Sequence, residues 1–339
     1  MAAKLSIAVL CCWLGVMQNA QAWWSGGHVT VARAAARALR EEVPAFFRES
    51  GETLGHFSVD PDLWKHRETP HLYDREWPEH YIDYELLEGL SLPPLRWQFI
   101  ALCAEHRKNP RDIGLLPYSV VEETERLAYA FAEHRRWPDH PLIRQKCLVY
   151  GGFLSHYTAD LAQPLHVTIH WDGRTTVGAQ SPRTGIHNRM DALIEATRIG
   201  AAELTDGLEP VVFDDLFASI MRQVFASRRA IDTVYALEAD LPVLRDGGAG
   251  IDPNWQPSRR MREFALDCTR AATSLTASCW LTAWVKSAKI APPPWSQGEN
   301  ASHRSAGRPD ARPWVGLVIA GLLIAALVHR LGKRKASTR

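Results

Sequence analysis

Several features typical of β-sheet, repeat and sulfur-rich proteins are missing from this sequence. The alternation of polar and apolar residues that marks half-buried strands is almost absent, which argues against a β-sandwich or a barrel. Nothing in the chain resembles a low-complexity segment or a repeat array, which excludes solenoids. No Cys-x-x-Cys pair occurs, so a typical sulfur-rich structural zinc site is excluded as well.

A free basic stripe is also missing. The formal charge of the 339 residues is +1. Without Lys4 and the five basic residues after position 313, 33 basic residues face 38 acidic ones, which leaves −5. Proteins that bind duplex nucleic acid neutralise its phosphates with lysine and arginine, so this composition does not favour duplex binding. Bound metal ions could still make one site locally positive.

What the sequence does contain is apolar residues at helical spacing. This spacing predicts helices over residues 29–47, 92–106, 120–136, 141–161, 192–205, 214–237 and 261–288. Residues 51–79, which contain several prolines, are predicted to be loop-like. A hydrophobic fraction of 46% can build a large core. The predicted fold class is therefore all-α, with a single compact helical domain over residues 23–289.

Both ends of the chain differ in composition from this domain. Residues 1–22 have the charged start, the apolar run and the Ala-Gln-Ala ending of a secretory signal peptide. Residues 290–313 are rich in Pro, Ser and Gly and predict a linker. Residues 314–331 are predicted to form a transmembrane anchor, followed by a basic cytoplasmic tail over residues 332–339. The protein is therefore expected to be exported and membrane-anchored with its domain outside, or to carry a C-terminal sorting signal of the same shape.

Four cysteines follow the signal peptide: Cys103, Cys147, Cys268 and Cys279. Because an exported chain meets an oxidising environment, this even number predicts two disulfide bonds. Their connectivity stays open, with Cys103–Cys147 and Cys268–Cys279 as the preferred pairing.

One short stretch concentrates side chains that bind metals. His156 and Asp160 are one helical turn apart, so a helix presents both on one face. Pro164 should end or kink that helix, which turns His166 in a different direction. The same His-x-x-x-Asp spacing recurs at His187 and Asp191. Neutral imidazole and carboxylate suit zinc, so the two pairs favour a zinc site over a polar helix face.

Cleavage after residue 22 would add a further ligand. Trp23 would then begin the chain, and its α-amino nitrogen and carbonyl oxygen can chelate a metal. His28 follows five residues later, across two glycines.

These residues together resemble a zinc-dependent superfamily that unites fungal and plant single-strand nucleases with bacterial phospholipase C. In that superfamily a signal peptidase exposes an N-terminal Trp that binds zinc. The shared pattern continues with His, Asp, His-aromatic-x-Asp, His-x-x-x-Asp-x-x-Gln-Pro-x-His and His-x-x-x-Asp/Glu. Over residues 23–195, the matching positions are Trp23, His28, Asp62, His80, His156, Asp160, His166, His187 and Asp191.

The resemblance implies an all-helical fold and three zinc ions per chain. The implied sites are His80, His156, Asp62 and Asp160; Trp23, His28 and a bridging Asp160; and His166, His187 and Asp191. Two neighbouring zinc ions would activate a bridging water, and the third would stabilise the phosphate oxygens and the leaving group.

Three further assignments depend on the same resemblance. Asp60 competes with Asp62 for the carboxylate position, and Asp62 is favoured because Asp62-x-x-Lys65 resembles the nucleases' Asp-x-x-basic run. Lys65 would balance charge that builds on phosphorus. Asp83 would orient the substrate, although a structural salt bridge or a helix cap fits Asp83 equally well.

The implied function is zinc-dependent hydrolysis of a phosphodiester. The Trp23–His28 spacing, Asp191 and Lys65 favour the nuclease branch, with single-stranded nucleic acid or nucleotides as substrate. Against it, the nucleases' Gly-Gly-Asn stretch after the third histidine is missing, and Tyr81 stands where a Phe is usual. Phospholipase C activity on phospholipid head groups is the alternative, and a non-catalytic surface module stabilised by zinc is another. No protein partner is inferred.

Overall fold

The structure is a computed structural model that describes residues 23–248 and 250–293 of the chain. Its α-helices are α1 (Ser25–Ala38), α2 (Ala45–Arg48), α3 (Gly51–Phe57), α4 (Asp60–Leu63), α5 (Pro70–Glu76), α6 (Arg96–Glu105), α7 (Pro110–Ile113), α8 (Leu116–Arg136), α9 (Pro141–Ala162), α10 (Ile186–Asp191), α11 (Leu193–Thr197), α12 (Ala201–Thr205), α13 (Leu216–Arg229), α14 (Ile231–Ala236) and α15 (Arg259–Ser287). Shorter 3₁₀ turns are Trp77–His80, Tyr84–Leu87, Pro164–Val167, Glu238–Asp240 and Asp246–Gly248. The fold is thus mostly helical, as predicted.

Strand structure in the described residues is limited to one small antiparallel pair, β1 (Leu244–Arg245) and β2 (Gly250–Ile251). Leu244 is paired with Ile251, and Arg245 with Gly250. The near absence of strand alternation in the sequence agrees with this.

The three longest helices, α8, α9 and α15, pack against one another and form the main core. Phe47 from α2 lies edge-on to Phe131 and Trp280, with ring centroids 5.0 and 5.2 Å apart. The Trp280 indole nitrogen donates a hydrogen bond to the Gly151 carbonyl oxygen at 3.0 Å, which joins α15 to α9. Burying aromatic rings of this size contributes a large share of core stability.

A second apolar cluster lies where α9 meets the N-terminal residues. It includes Trp23, Val31, Ala159, Leu193 and Met261, all buried. Because α9 contributes to both clusters, the polar residues of its C-terminal half are enclosed between them.

A glycine on α9 sets the distance to α3. A Cβ atom at Gly152 would collide with the Phe57 side chain and would lie 3.0 Å from the Leu54 carbonyl oxygen. Only glycine therefore allows α3 to approach this closely. The approach brings the segment that follows α3, from Ser58 to Asp62, against the same helix that carries His156.

Several predicted helices are interrupted or shifted. Residues 29–47 contain a break after Ala38, where Leu39 is extended, and residues 192–205 break at Arg198, which is left-handed with φ of 51°. The region 51–79 is not a loop but a series of short helices. Pro61 and Pro70 lie in the first turns of α4 and α5, where a missing amide hydrogen costs nothing.

The predicted disulfide bonds are wrong for this structure, in which all four cysteines are free and buried. Cys268 and Cys279 lie on the same helix, α15. At a rise of about 1.5 Å per residue they are roughly 16 Å apart along the axis, whereas a disulfide needs Cα atoms within about 7 Å. Cys103 and Cys147 lie on α6 and α9.

The chain divides into two units between Ile290 and Ala291. The proposed signal peptide, the transmembrane anchor, the basic tail and the linker after residue 293 lie outside the described residues. Among the helices that the structure describes, none has the length and apolar character needed to cross a bilayer.

Candidate metal centre

Helix α9 carries two of the proposed ligands side by side. The His156 Nε2 atom lies 3.2 Å from Asp160 Oδ2, and both side chains are fully buried. The Nδ1 atom of His156 donates to the Ser58 carbonyl oxygen at 2.7 Å. This bond fixes the ring so that Nε2 faces the carboxylate. As predicted, the helix ends before Pro164, at Ala162.

The turn Trp77–His80 and helix α4 add two more ligands to this group. His80 Nδ1 lies 3.0 Å from both Asp160 Oδ2 and His156 Nε2. Asp62 Oδ1 lies 3.8 Å from His80 Nδ1 and 3.7 Å from His156 Nε2. The Lys65 ammonium forms an ion pair with Asp62 at 2.6 Å. Asp60, the competing carboxylate, belongs to none of the metal-ligand groups found among the described residues.

Helix α1 supplies His28. Its Nε2 atom lies 3.6 Å from Asp160 Oδ1, and its ring stacks on His156 with centroids 3.9 Å apart. The Trp23 indole is buried and donates to the Ala159 carbonyl oxygen at 3.0 Å. The structure thus places Trp23 directly beside the helix that carries Asp160.

A separate group lies between the turn Pro164–Val167 and α10. His187 Nε2 lies 3.2 Å from Asp191 Oδ2, and His166 Nε2 lies 3.9 Å from Asp191 Oδ1. The Nδ1 atom of His166 donates to the His80 carbonyl oxygen at 2.7 Å, and that of His187 donates to the Trp171 carbonyl oxygen at 3.2 Å. Both rings therefore direct Nε2 towards the carboxylate.

The structure brings the eight proposed histidine and aspartate ligands into two clusters. We call His28, Asp62, His80, His156 and Asp160 the five-residue cluster, and His166, His187 and Asp191 the three-residue cluster. Within them, three groups of three residues have ligand atoms within 4.8 Å of one another. His156 belongs to two of these groups, so the first two sites that the resemblance implies also share a donor through His156 in the structure.

The donors of both clusters fit a metal ion. Several fully buried atoms have no hydrogen-bond partner in the described part of the chain: His28 Nε2, Asp160 Oδ1, His166 Nε2 and Asp191 Oδ2. Leaving such atoms unpaired costs free energy, so the site is incomplete without a cation or ordered water. Imidazole nitrogen and carboxylate oxygen are the donors that zinc accepts.

Burial and neighbouring charges hold several of these ligands in a metal-binding protonation state. Burial lowers the pKa of His28 to about 3 and that of His187 well below its usual value. Burial opposes ionisation of Asp160, but the neighbouring histidines His156 and His166 bring its pKa well below the usual value. Burial raises the pKa of Asp191 well above the usual value, and a bound cation would take the place of that proton.

A cavity of about 560 Å³ gives access to these clusters. It reaches His80, His166 and His187 and has three other kinds of lining: the aromatic residues Tyr73, Trp77, Tyr81 and Trp171; the cations Lys65, Arg67, Arg111 and Arg183; and the acids Asp83 and Asp172. Burial raises the pKa of Asp83 to about 8, and the charge of Glu85 adds to this shift. At neutral pH this shift favours the protonated carboxyl group, which can donate a hydrogen bond.

Some residues of this site were not singled out from the sequence. Arg67, Arg183 and Trp171 lie in the cavity wall, but isolated arginines and tryptophans carry no spacing signal. Glu76, which faces His80, had a usable signal. Its spacing of four residues to His80 is the same as in the two His-x-x-x-Asp pairs, with the order reversed.

No protein-family model and no curated protein matches the chain. Among solved structures, it is similar to alpha toxin from Clostridium absonum, with 15% sequence identity and a TM-score of 0.38. The likeness covers 80% of this chain and 68% of that one. A likeness this distant assigns no function to the chain.

Proposed function

We propose that this protein is a zinc-dependent hydrolase of phosphoric esters. The observation that carries the proposal is the pair of buried histidine–aspartate clusters with partnerless donor atoms, three of whose histidines line a cavity together with four cationic side chains. Structural zinc sites are usually closed and rich in sulfur, whereas an accessible site of nitrogen and oxygen donors is typical of catalysis.

Zinc bound here would act as a Lewis acid on a phosphoryl oxygen and would lower the pKa of a coordinated water. The protein would hold it through the five-residue cluster and the three-residue cluster. Asp160 lies at the centre of the larger cluster, where its two oxygens face different histidines. This arrangement suits a carboxylate that bridges two ions.

Lys65 would contribute positive charge next to the reacting phosphate. Its side chain is only 6% exposed, it lines the cavity, and its ammonium is bonded to Asp62. The ion pair holds the carboxylate oxygen near His80 and His156 while leaving the lysine charge at the cavity wall. A fixed cation that faces developing negative charge lowers the barrier to phosphoryl chemistry.

Asp83 would orient the substrate. Because its pKa is raised to about 8, its carboxyl group can donate a hydrogen bond at neutral pH to a phosphate oxygen or to an acceptor on a base. A neutral donor adds no repulsion to an anionic substrate, whereas an ionised carboxylate would.

We propose single-stranded nucleic acid or nucleotides as the substrate, because the cavity walls suit an anion. Four cations line the cavity together with four aromatic rings, and this combination suits a phosphate backbone with stacked bases. The same rings could instead hold the quaternary ammonium of a choline head group, so phospholipid is the second candidate.

A side-by-side assay separates the two substrates. The purified protein is given single-stranded DNA, RNA, 3′-nucleotides and phosphatidylcholine vesicles at equal phosphodiester or phosphomonoester concentration, each with and without a zinc chelator. We expect chelator-sensitive hydrolysis of the nucleic acid or nucleotide. Hydrolysis of phosphatidylcholine alone would indicate that the protein is a phospholipase C. If the protein binds zinc but hydrolyses none of these substrates, it is better explained as a non-catalytic module that zinc stabilises.

A further inference from the structure

The imidazole ring of His80 is oriented differently from those of three other proposed ligands. His156, His166 and His187 each donate from Nδ1 to a backbone carbonyl oxygen and turn Nε2 towards an aspartate. His80 does the opposite. Its Nδ1 faces Asp160 at 3.0 Å, whereas its Nε2 has no hydrogen-bond partner among the described residues and lies 3.5 Å from Glu76 Oε1.

Glu76 is held tightly in this position. It ends helix α5 and is fully buried. The Tyr157 hydroxyl donates to its Oε1, and Arg75 Nη1 lies 3.2 Å from its Oε2. A buried carboxylate costs free energy unless its oxygens are paired, so these partners and His80 together account for its presence.

The supporting residues belong to the same elements as the metal ligands. Tyr157 follows His156 directly on α9, so one helix supplies a proposed ligand and the anchor of Glu76. The turn that carries His80 follows α5 immediately. A shift of Glu76 would therefore move the His80 ring relative to Asp160 and His156.

We propose that Glu76 is a positioning residue that selects Nδ1 of His80 as the metal-binding atom. By accepting a hydrogen bond from the Nε2–H group, its carboxylate fixes the ring tautomer and makes Nδ1 a stronger metal ligand. Partners of this kind typically change metal affinity by roughly 10- to 100-fold. The inference rests on the proposed zinc function, because it needs a metal at the five-residue cluster.

The test is a zinc titration of the full chain carrying Glu76→Gln. The substitution keeps the size of the side chain and removes the carboxylate charge. After removal of zinc, each protein is titrated against a competing chelator, and the dissociation constant and stoichiometry are measured. We expect one zinc per chain to bind roughly 10- to 100-fold more weakly, while the other zinc ions bind as in the unsubstituted protein.

Glu123→Gln is the matched control. Glu123 is also a buried acid, 7% exposed, and it lies near enough to Glu76 for their charges to interact. Its described polar contact is with Arg126 at 2.8 Å, not with a ring of the clusters. Zinc affinity should therefore be unchanged in this variant. Thermal stability of the zinc-free proteins, measured at the same pH, separates an effect on the fold, which Glu123→Gln should show above pH 7, from an effect on zinc binding.

Tyr157→Phe provides a second variant if Glu76→Gln does not fold. It leaves the carboxylate in place and removes one of its anchors, so we expect a smaller, few-fold loss of affinity at the same single site. The inference is overturned if Glu76→Gln, or Tyr157→Phe in its place, binds every zinc with unchanged affinity. An unsubstituted protein that binds no zinc would instead overturn the proposed function.

Discussion

Both carboxylate oxygens of Asp160 face proposed histidine ligands. Its Oδ2 atom lies 3.0 Å from His80 Nδ1 and 3.2 Å from His156 Nε2. Its Oδ1 atom lies 3.6 Å from His28 Nε2 and 3.8 Å from His166 Nδ1. The structure surrounds one carboxylate with four imidazole rings.

We predict that Asp160→Asn loses more bound zinc, and more activity, than a change at any other ligand. An amide is a poor zinc ligand. The loss of the Asp160 carboxylate should therefore release two ions at once. Zinc per chain and turnover are the measurements, with Asp60→Asn as the control because Asp60 lies outside the clusters. A clearly larger loss in Asp191→Asn would show that Asp160 is not the bridge.

The buried acid Glu123 should make the stability of the folded protein depend on pH. Burial raises the pKa of Glu123 from 4.5 to about 7; Arg126 opposes the shift and the Glu76 charge adds to it. Between these pH values the folded protein therefore binds more protons than the unfolded chain, so this group's stabilising contribution is lost as the pH rises.

Glu123→Gln should remove that dependence. Since the glutamine is neutral throughout, the variant should match the unsubstituted protein near pH 4.5 and exceed its unfolding free energy above pH 7, by on the order of 3 kcal/mol. Urea unfolding at pH 5 and pH 8 measures the difference. Parallel pH profiles for the two proteins would contradict the raised pKa.

At this scale, the sequence was informative wherever spacing alone puts side chains together. His156 with Asp160, and His187 with Asp191, are one turn apart on helices, so their proximity follows from helix geometry. The orientation of each ring does not. It depends on carbonyl groups such as those of Ser58 and Trp171, which reach the histidines only through tertiary contacts.

Among the elements, the N-terminal segment is held by contacts from two sides. The Trp24 amide donates to the Asp191 carbonyl oxygen at 3.1 Å, and the Gly26 amide donates to the Glu195 side chain at 2.5 Å. The Trp23 indole is buried against α9. These bonds keep the start of α1 next to both metal-ligand clusters.

If Trp23 is the first residue of the mature chain, its amino group would be a zinc ligand that cleavage creates. We predict that a chain beginning Met-Trp23 binds one zinc fewer, because its amide nitrogen at Trp23 has no available lone pair. The comparison is zinc per chain and turnover against a protein with a free Trp23 amino group. Equal values in both proteins would remove Trp23 from the ligand set.

Apolar periodicity predicted where the helices lie better than where they are interrupted. The predicted helix over residues 141–161 is α9 almost to the residue, because Pro141 starts it and Pro164 prevents its continuation. The predicted helix over residues 192–205 is interrupted at Arg198. The left-handed conformation of this residue cannot be inferred from its residue type. Tertiary packing decides such breaks, and apolar periodicity does not encode it.

On the scale of the whole molecule, the proposed ligands come from distant parts of the chain. α1, α4, α9, α10 and the turns Trp77–His80 and Pro164–Val167 each contribute at least one. The all-α class could be predicted from composition and spacing. That the four described cysteines are free could not be predicted, since an even number of cysteines does not show which helices carry them.

We propose that zinc held by these two clusters makes the protein a phosphoric ester hydrolase. The most direct measurement is a zinc titration of the chelator-treated protein, with bound zinc and hydrolysis of bis(p-nitrophenyl) phosphate followed in the same samples. We predict no hydrolysis without zinc, and a rate that rises as the clusters fill towards three ions per chain. Full zinc occupancy without hydrolysis, or hydrolysis that persists after zinc is removed, would contradict it.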